Sequence, residues 1–372
     1  MSQYPDAVTP GREAALSSVI QRIATGPELS KDLSQEEAHN AMRLVLENRA
    51  DPVQAAVFLI ALRMKRETDE ENLGILDALL EKTVTVTADV DELIDVADPY
   101  DGYARCLPAS PFLPALLAAC GVPAVTHGVE SMGPKYGVTH RQVLRAAGVP
   151  VDLTPQQAAA RLADPATGWS YLDQSRFCPE LYGLGGLRRL IVKRPVLTTA
   201  ETLLGPVRGR RRTCLLTGYV HKPYARVYAM LARHAGFDSA LLVRGIEGGV
   251  IPSLRQAGKL YFYHGRAEEQ SLDLDPLTLD IDQPLRAAPL PAELAPPEGD
   301  ESVRPDTGAV AAAAAQAGLA ALAGAAGAVR DSLVYTGAIC LWQLGRHDSL
   351  AAAAGAVRRV LDSGAARARL PS

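Results

Sequence analysis

Residues 212–248 read RTCLLTGYVHKPYARVYAMLARHAGFDSALLVRGIEG, and this stretch decides the fold class. The two short apolar runs near its ends have the length and composition of buried strands. Between them, residues 223–236 place apolar side chains at helical spacing. A strand, a helix and a second strand in this order predict an α/β fold, with a mostly parallel sheet flanked by helices.

The same alternation of short apolar runs and helical segments is present upstream. Residues 84–98 contain a strand-like segment, and residues 112–128 predict a helix followed by a strand that ends at Thr126. Parallel sheets bind their ligands at the carboxyl ends of the strands. The loops predicted to carry a site are those after Val96, Thr126, Thr217 and Val243.

Residues 12–82 predict a small unit of helices joined by short turns. Two of these helices open with the spacing of a capping box, at Ser34 with Glu37 and at Thr68 with Glu71. The helix between them, residues 52–66, is apolar almost all round. We therefore expect that helix to be buried against its neighbours and not to lie on the surface.

The composition of the C-terminal third changes twice. Residues 283–308 are rich in proline and acidic groups and predict a connecting arm, whereas residues 309–368 predict closely packed Ala/Gly helices. The domain organisation expected from these patterns is a helical domain over residues 1–82 and an α/β domain over residues 83–372.

The bulk composition is that of a globular protein with no strong charge signal. The 372 residues are 48% hydrophobic and carry a formal net charge of −4, so any anion site has to be local. Five scattered cysteines without a CxxC motif argue against zinc and against disulfides, and favour a cytoplasmic location. No uncharged run reaches the roughly 18 to 20 residues that a membrane span needs, so no membrane partner is expected.

Two segments resemble a known family. ALRMKRET, residues 61–68, is similar to the pattern ALRMKGET of the anthranilate phosphoribosyltransferases, which belong to glycosyltransferase family three; only Arg66 departs from it. Residues 328–366 resemble the closing helices of the same proteins. The resemblance implies a helical domain, an α/β domain, a homodimer formed through the helical part, and a cleft for phosphoribosyl pyrophosphate and anthranilate, as in tryptophan biosynthesis.

The family's pyrophosphate loop, GTGGD, corresponds here to residues 97–102, ADPYDG. Glycines let backbone N–H groups approach a phosphate closely, whereas Pro99 has no N–H to donate and Asp98 would repel an anion. Asp101 and Gly102 remain from the family pattern as candidate ligand contacts.

Four further phosphate candidates follow from the resemblance. The family's NIST run is replaced by residues 107–110, in which Ser110 keeps a hydroxyl that either contacts phosphate or caps a helix. The family's KHGNR and SSK motifs correspond to residues 126–137, where His127, Gly128 and Lys135 remain in register. Lys135 pairs with a phosphate or is a solvated surface residue, and His127 is a ligand contact or a structural hydrogen-bonding residue.

The family's magnesium-binding acidic pair is Val250 and Ile251 here, which cannot coordinate a hard cation. Glu247 is a weak remaining metal candidate, and magnesium is expected only if phosphoribosyl pyrophosphate binds. Arg188 and Arg194 correspond to the arginines of the family's anthranilate segment, although a structural ion pair explains either of them equally well.

Two functional hypotheses remain open at this point. One is a divergent transferase in which Asp101, Lys135 and the two arginines act on an altered, phosphate-bearing substrate. The other is a homodimer that binds single-stranded nucleic acid along a basic groove, as in a branch of the family without the glycine loop. Its candidate residues are Lys193, Arg194, Arg208, Arg210, Arg211, Arg212, Lys222 and Arg226. An ordinary solvated loop would account for the same basic stretch.

Overall fold

The computed structural model describes residues 12–26, 28–295 and 306–371. The helices are α1 (Arg12–Ile23), α2 (Gln35–Leu46), α3 (Pro52–Lys65), α4 (Asp69–Glu81), α5 (Leu113–Ala119), α6 (His140–Ala146), α7 (Pro155–Ala163), α8 (Gln174–Phe177), α9 (Pro179–Gly183), α10 (Gly185–Ile191), α11 (Leu197–Ala200), α12 (Tyr224–His234), α13 (Thr307–Leu322), α14 (Ala328–Gln343) and α15 (Leu350–Asp362). Within the described ranges, no helix is both long enough and apolar enough to cross a bilayer.

The strands are β1 (Val86–Thr87), β2 (Glu92–Ala97), β3 (Ala124–Gly128), β4 (Trp169–Asp173), β5 (Val207–Arg208), β6 (Arg212–Gly218), β7 (Ser239–Val243), β8 (Gly258–His264) and β9 (Gln270–Leu274). Seven of them form one sheet in the order β4-β3-β2-β6-β7-β8-β9, and β1 pairs with β5. The first five strands of the large sheet are parallel, and β8 and β9 are antiparallel. The predicted mostly parallel sheet is therefore confirmed.

The chain divides into two compact units. The helical unit contains the described residues up to Thr83 together with Cys178–Leu204, and the larger unit contains Val84–Phe177 and the chain from Gly205 onward. The sequence-based boundary near residue 83 had placed residues 178–204 in the α/β domain. They group with the helical unit because α10 packs on α3 and α11 packs on α4.

The helical unit forms the two capping boxes that the sequence predicts. Ser34 caps α2 with Glu37, and Thr68 caps α4 with Glu71. Inside this unit, Lys65 Nζ lies 2.8 Å from the fully buried carboxylate of Glu71. The turn between α3 and α4 thus combines helix capping with a buried ion pair.

The expectation that α3 is buried against its neighbours and not at the surface is wrong for one face of the helix. The packing of α1 and α10 against α3 covers only part of its surface. Val53, Val57 and Met64 are 68%, 38% and 75% exposed, and their spacing places them on one face of the helix. Other apolar residues of α3 are buried, among them Phe58, Leu59 and Leu62.

The core of the larger unit lies between the sheet and the helices on its faces, and α14 is its most completely buried long helix. The predicted close packing of the Ala/Gly helices requires a glycine at position 318, because a Cβ there would lie only 2.0 Å from the ring of Phe112. Helix α15 ends at the C-cap Ser363, and Gly364 directly after it has a φ of +72°, the conformation in which glycine commonly ends helices.

Candidate functional site at the carboxyl edge of the sheet

The predicted site loops start at the same edge of the sheet. The strand register pairs Val96 with Thr126, Ala97 with Thr217, and Gly218 with Val243. The segments that follow β2, β3 and β7 therefore all start at the carboxyl edge, with β6 between β2 and β7 in the sheet. We call residues 98–110, 129–140 and 244–251 the edge loops.

The carboxylate of Asp98 connects the three edge loops. It is 2% exposed and accepts hydrogen bonds from four groups of these loops. The donors are the hydroxyl of Tyr103 at 2.7 Å, the hydroxyl of Ser110, the ring Nε2 of His140 at 2.7 Å and the backbone N–H of Val250 at 2.8 Å. The expectation that Asp98 would repel an approaching anion is wrong, because its side chain points into the protein, where these four donors surround the carboxylate.

The ring of His140 faces the Asp98 carboxylate from the second edge loop. The hydroxyl of Thr126 donates to the Val96 carbonyl at 2.8 Å, so its oxygen accepts from His140 Nδ1, also at 2.8 Å. Both ring nitrogens of His140 therefore donate in this arrangement. Burial by itself raises the pKa of Asp98, but His140, Ser110 and Tyr103 outweigh it and hold that pKa below the usual range.

Ser110 and Gly102 stabilise the conformation of the loop after β2. Ser110 begins a short 3-10 turn that has no side-chain cap, so the capping alternative is wrong, and its buried hydroxyl donates to Asp98. Gly102 has a φ of +72°, and a Cβ there would lie 2.5 Å from the Val138 carbonyl oxygen. Only glycine fits this turn without a shift of the backbone.

His127 and Gly128 belong to strand β3 itself and not to the loop that follows it. His127 is 1% exposed, with Nδ1 hydrogen-bonded to the Tyr100 hydroxyl and Nε2 2.9 Å from Asp95 Oδ1. Its ring also packs edge-on against Phe177. His127 was expected to be either a ligand contact or a structural hydrogen-bonding residue. Its contacts in the structure are those of the structural residue.

Lys135 lies between two carboxylates of the edge loops. Its Nζ is 3.4 Å from Asp101 Oδ1 and 3.5 Å from Glu247 Oε2, and it donates to the Glu247 carbonyl oxygen at 3.2 Å. The ammonium also lies 5.6 Å from the centre of the Tyr103 ring. Lys135 is therefore not a freely solvated lysine, and its charge is already balanced within the protein.

The segment after β7 offers no metal site of the expected kind. Val250 and Ile251 are 0% and 5% exposed and contribute no oxygen ligand from their side chains. Nowhere in the described chain do three or more His, Cys, Asp or Glu side chains gather in a way that could hold a metal ion. The residues present do not fit the magnesium that the resemblance implies.

The two arginines of the expected anthranilate segment belong to the helical unit. The guanidinium of Arg188 is 3% exposed and makes a bidentate ion pair with Glu201, at 2.6 and 2.7 Å. This is the structural ion pair that the sequence left as an alternative for Arg188. Arg194 and its neighbour Lys193 are exposed.

The basic stretch at residues 208–212 lies at the opposite, amino edge of the sheet, where β6 begins. Arg208 stacks on Phe237, with its guanidinium carbon 4.0 Å from the ring centre, and donates to two backbone carbonyls. The next three arginines form ion pairs with carboxylates of the β1–β2 connection and β2: Arg210 with Asp89 and Asp91, Arg211 with Asp91, and Arg212 with Glu92. The stretch is an ion-pair network.

Sequence reasoning missed the central pair of this site. Asp98 and His140 are 42 positions apart, and no local spacing links them. Arg244, which follows β7 and is exposed, was also not selected. Its position after a strand of a parallel sheet was the signal that could have found it.

Comparisons with known proteins agree with this architecture. The family model described as the glycosyl transferase family helical bundle domain matches residues 17–83, and that of the glycosyl transferase family α/β domain matches residues 109–367. An uncharacterized protein of Aquifex aeolicus is 30% identical over 64% of this chain and 70% of its own length. An anthranilate phosphoribosyltransferase of Clavibacter michiganensis is 31% identical over 68% of this chain and 69% of its own length.

Solved structures show the same fold at low sequence identity. The anthranilate phosphoribosyltransferase of Thermus thermophilus has a TM-score of 0.69 with 19% identity, covering 95% of both chains. That of Saccharomyces cerevisiae, in complex with phosphoribosyl pyrophosphate and magnesium, has a TM-score of 0.71 with 16% identity, covering 96% of both chains.

Proposed function

Since the chain belongs to glycosyltransferase family three, we propose that it is a cytoplasmic, homodimeric member that binds a phosphate-bearing ligand without transferring phosphoribosyl groups to anthranilate. The observation that carries the proposal is the burial of Val250 and Ile251, which stand where the resemblance places the magnesium-binding carboxylates. Phosphoribosyl transfer depends on stabilising the departing diphosphate, so this replacement removes a large electrostatic contribution.

The loop after β2 supports the same conclusion. In place of a glycine-rich phosphate loop, Asp98 binds Tyr103, Ser110, His140 and Val250 in one buried network. The Val250 N–H donates to a carboxylate of the protein and is not available to a diphosphate. A diphosphate at this position would have to displace a buried, charge-balanced group.

Two cations at the carboxyl edge favour a ligand that carries phosphate. Lys222 follows β6, Arg244 follows β7, and both side chains are exposed. Within the part of the chain that the structure describes, neither makes an ion pair. Cations without a protein counter-charge at the ligand edge of a parallel sheet provide a favourable field for an anionic ligand.

The exposed apolar face of α3 supports the homodimer. Val53, Val57 and Met64 lie on that face, and Leu190 on α10 is 76% exposed in the same unit. Apolar side chains that cluster on one surface are typical of protein interfaces.

The nucleic-acid alternative loses most of its basic cluster in this structure. Arg208 binds backbone carbonyls, and Arg210 to Arg212 are paired with carboxylates. The same carboxylates would repel a phosphate backbone. We therefore favour a small phosphate-bearing ligand over a nucleic acid.

Titration calorimetry of phosphoribosyl pyrophosphate into the purified protein, with and without magnesium, tests the proposal. We expect no magnesium-dependent saturable heat and no phosphoribosyl anthranilate when anthranilate is added. An active anthranilate phosphoribosyltransferase is the positive control, and sedimentation of the same preparation should give a dimer. Magnesium-dependent binding with product formation would overturn the proposal. Salt-sensitive binding of a single-stranded oligonucleotide would reinstate the nucleic-acid alternative.

A further inference from the structure

The carboxylate of Glu247 occupies a cradle of hydrogen-bond donors made by the loop after β2. The Ala104 N–H donates to both carboxylate oxygens, at 3.2 and 3.0 Å, and the Arg105 N–H donates to Oε1 at 2.9 Å. Lys135 Nζ lies 3.5 Å from Oε2 on another side. The thiol of Cys106 is 3.5 Å from Oε1, and burial together with this carboxylate raises the Cys106 pKa. We call these donor groups of Ala104, Arg105 and Lys135 the anion cradle.

Successive backbone N–H groups with a nearby ammonium are the chemistry by which proteins bind phosphate and carboxylate groups. In this protein, the group that fills the cradle is a side chain of the protein itself. The side chain of Glu247 is 11% exposed, so it lies at the border between the edge loops and solvent. It is therefore placed where it can leave the cradle without unpacking a core.

The backbone of Glu247 is in a conformation that an L-residue rarely adopts. Its φ is +52° and its ψ is +19°, between Gly245 and Gly248 in a glycine-rich loop. A left-handed conformation at a non-glycine residue costs free energy, which the contacts of the carboxylate offset. The hydrogen bonds of the carboxylate therefore keep Glu247 in the cradle, although its backbone would favour another conformation.

The charge balance shows that the cradle has room for one anion. Lys135 already faces both Asp101 and Glu247, two carboxylates against one ammonium. A second anion on the same donors would lie directly against the Glu247 carboxylate, and the two like charges would repel each other. An external phosphate or carboxylate group must therefore replace Glu247 and cannot bind beside it.

We infer that Glu247 is an internal competitor for an anion-binding subsite. The subsite takes a phosphoryl or carboxylate group of the ligand on the Ala104 and Arg105 N–H groups and Lys135 when Glu247 swings out. This inference rests on the proposed function, since it names the part of the carboxyl edge that holds the ligand's anionic group. It also explains how a family member without the glycine loop keeps an anion site.

The variant Glu247→Gly tests the inference, with inorganic phosphate and pyrophosphate as the probes in titration calorimetry. Glycine accepts the left-handed backbone and removes the carboxylate, so the variant is expected to fold. We expect it to bind either probe at least about tenfold more tightly than the wild type, the range of one charge-assisted hydrogen bond. Adding Lys135→Met should abolish the gain.

Asp280→Gly is the matched control. Asp280 also has a left-handed backbone, with a φ of +54°, but its carboxylate is not in the anion cradle. This variant should leave phosphate affinity unchanged. Glu247→Gln keeps the length of the side chain and the left-handed backbone at a non-glycine residue. It should give a smaller gain in phosphate affinity that also depends on Lys135. If Glu247→Gly does not fold, Glu247→Gln is the variant that tests the inference.

A folded Glu247→Gly protein that binds phosphate no more tightly than the wild type would overturn the inference, as would a gain that persists in Lys135→Met. These outcomes differ from a failure of the proposed function, which is magnesium-dependent transfer by the wild-type protein. The two experiments use different probes and different variants, so each can fail while the other succeeds.

Discussion

Two regions of this chain stand where the family resemblance places a motif, and they differ in what the structure makes of it. Residues 61–68, the end of α3 and the turn that leads to α4, keep the motif except at Arg66. This region has a capping box and the buried Lys65–Glu71 pair. The loop after β2, residues 97–102, has lost most of its motif, and Asp98 there organises a network with residues from all three edge loops.

The difference teaches how far motif matching can be trusted in this protein. Where the motif remains, local spacing predicts the contacts, because helix caps and turns depend on residues a few positions apart. Where the motif is replaced, the sequence predicts the loss of the old chemistry but not the network that fills the space. Four predictions test this comparison.

The largest effect is expected at the rebuilt loop. Asp98→Asn removes the carboxylate that faces His140 in a buried site, and loss of one partner of a buried ion pair costs about 3 to 5 kcal/mol. Urea denaturation at neutral pH measures this change. Asp273→Asn is the control, because Asp273 is 87% exposed and pairs with Lys259 at the surface. An Asp98→Asn protein as stable as the wild type would show that the network is dispensable.

The stability difference between the wild type and Asp98→Asn is also expected to depend on pH. The pKa of Asp98 is lower in the folded protein than in the unfolded chain, so its stabilisation is present above the unfolded pKa of about 3.9 and is lost as pH falls through the folded value. The gap in stability between the wild type and Asp98→Asn should therefore narrow in acid. A gap that is constant from neutral pH into this acid range would contradict the ion-pair interpretation.

A smaller effect, with the opposite sign, is expected at the preserved motif. Arg66 has a φ of +69° at the end of α3, where the family pattern has glycine. Arg66→Gly should stabilise the protein by about 1 kcal/mol, because relief of the backbone strain exceeds the entropy that glycine adds to the unfolded chain. The urea midpoint checks it, and Ala56→Gly inside α3 should instead destabilise by about 0.5 to 1 kcal/mol. If Arg66→Gly and Ala56→Gly changed the free energy of unfolding in the same direction, the strain argument would be refuted.

The smallest effect is expected in the surface network at the amino edge. Arg210 is 52% exposed and pairs with Asp89 and Asp91, which are also exposed. Arg210→Ala should change the free energy of unfolding by no more than about 0.5 kcal/mol, because exposed ion pairs contribute little. Thermal denaturation at low and high salt measures it. A large loss would mean that this network, and not the edge loops, stabilises the sheet.

How much the sequence predicts depends on how local the determining contacts are. The parallel sheet, the caps at Ser34 and Thr68 and the shared edge of the site loops follow from periodicity, spacing and strand topology, and the structure has all of them. The exposed face of α3 was not predictable, because hydrophobicity alone does not show which neighbours are missing. The Asp98–His140 pair was not predictable either, since it depends on how distant loops meet in space.

The placement of Asp98 also constrains how this chain can change. Replacing Asp98 by glycine would leave His140 and the Val250 N–H buried without their acceptor, at the full cost of unsatisfied polar groups. A functional phosphate loop would need coordinated replacements in all three edge loops, and each single step lowers stability. Because four groups from three loops share the Asp98 carboxylate, the residues at these positions depend on one another, and a single substitution at one of them affects all three loops.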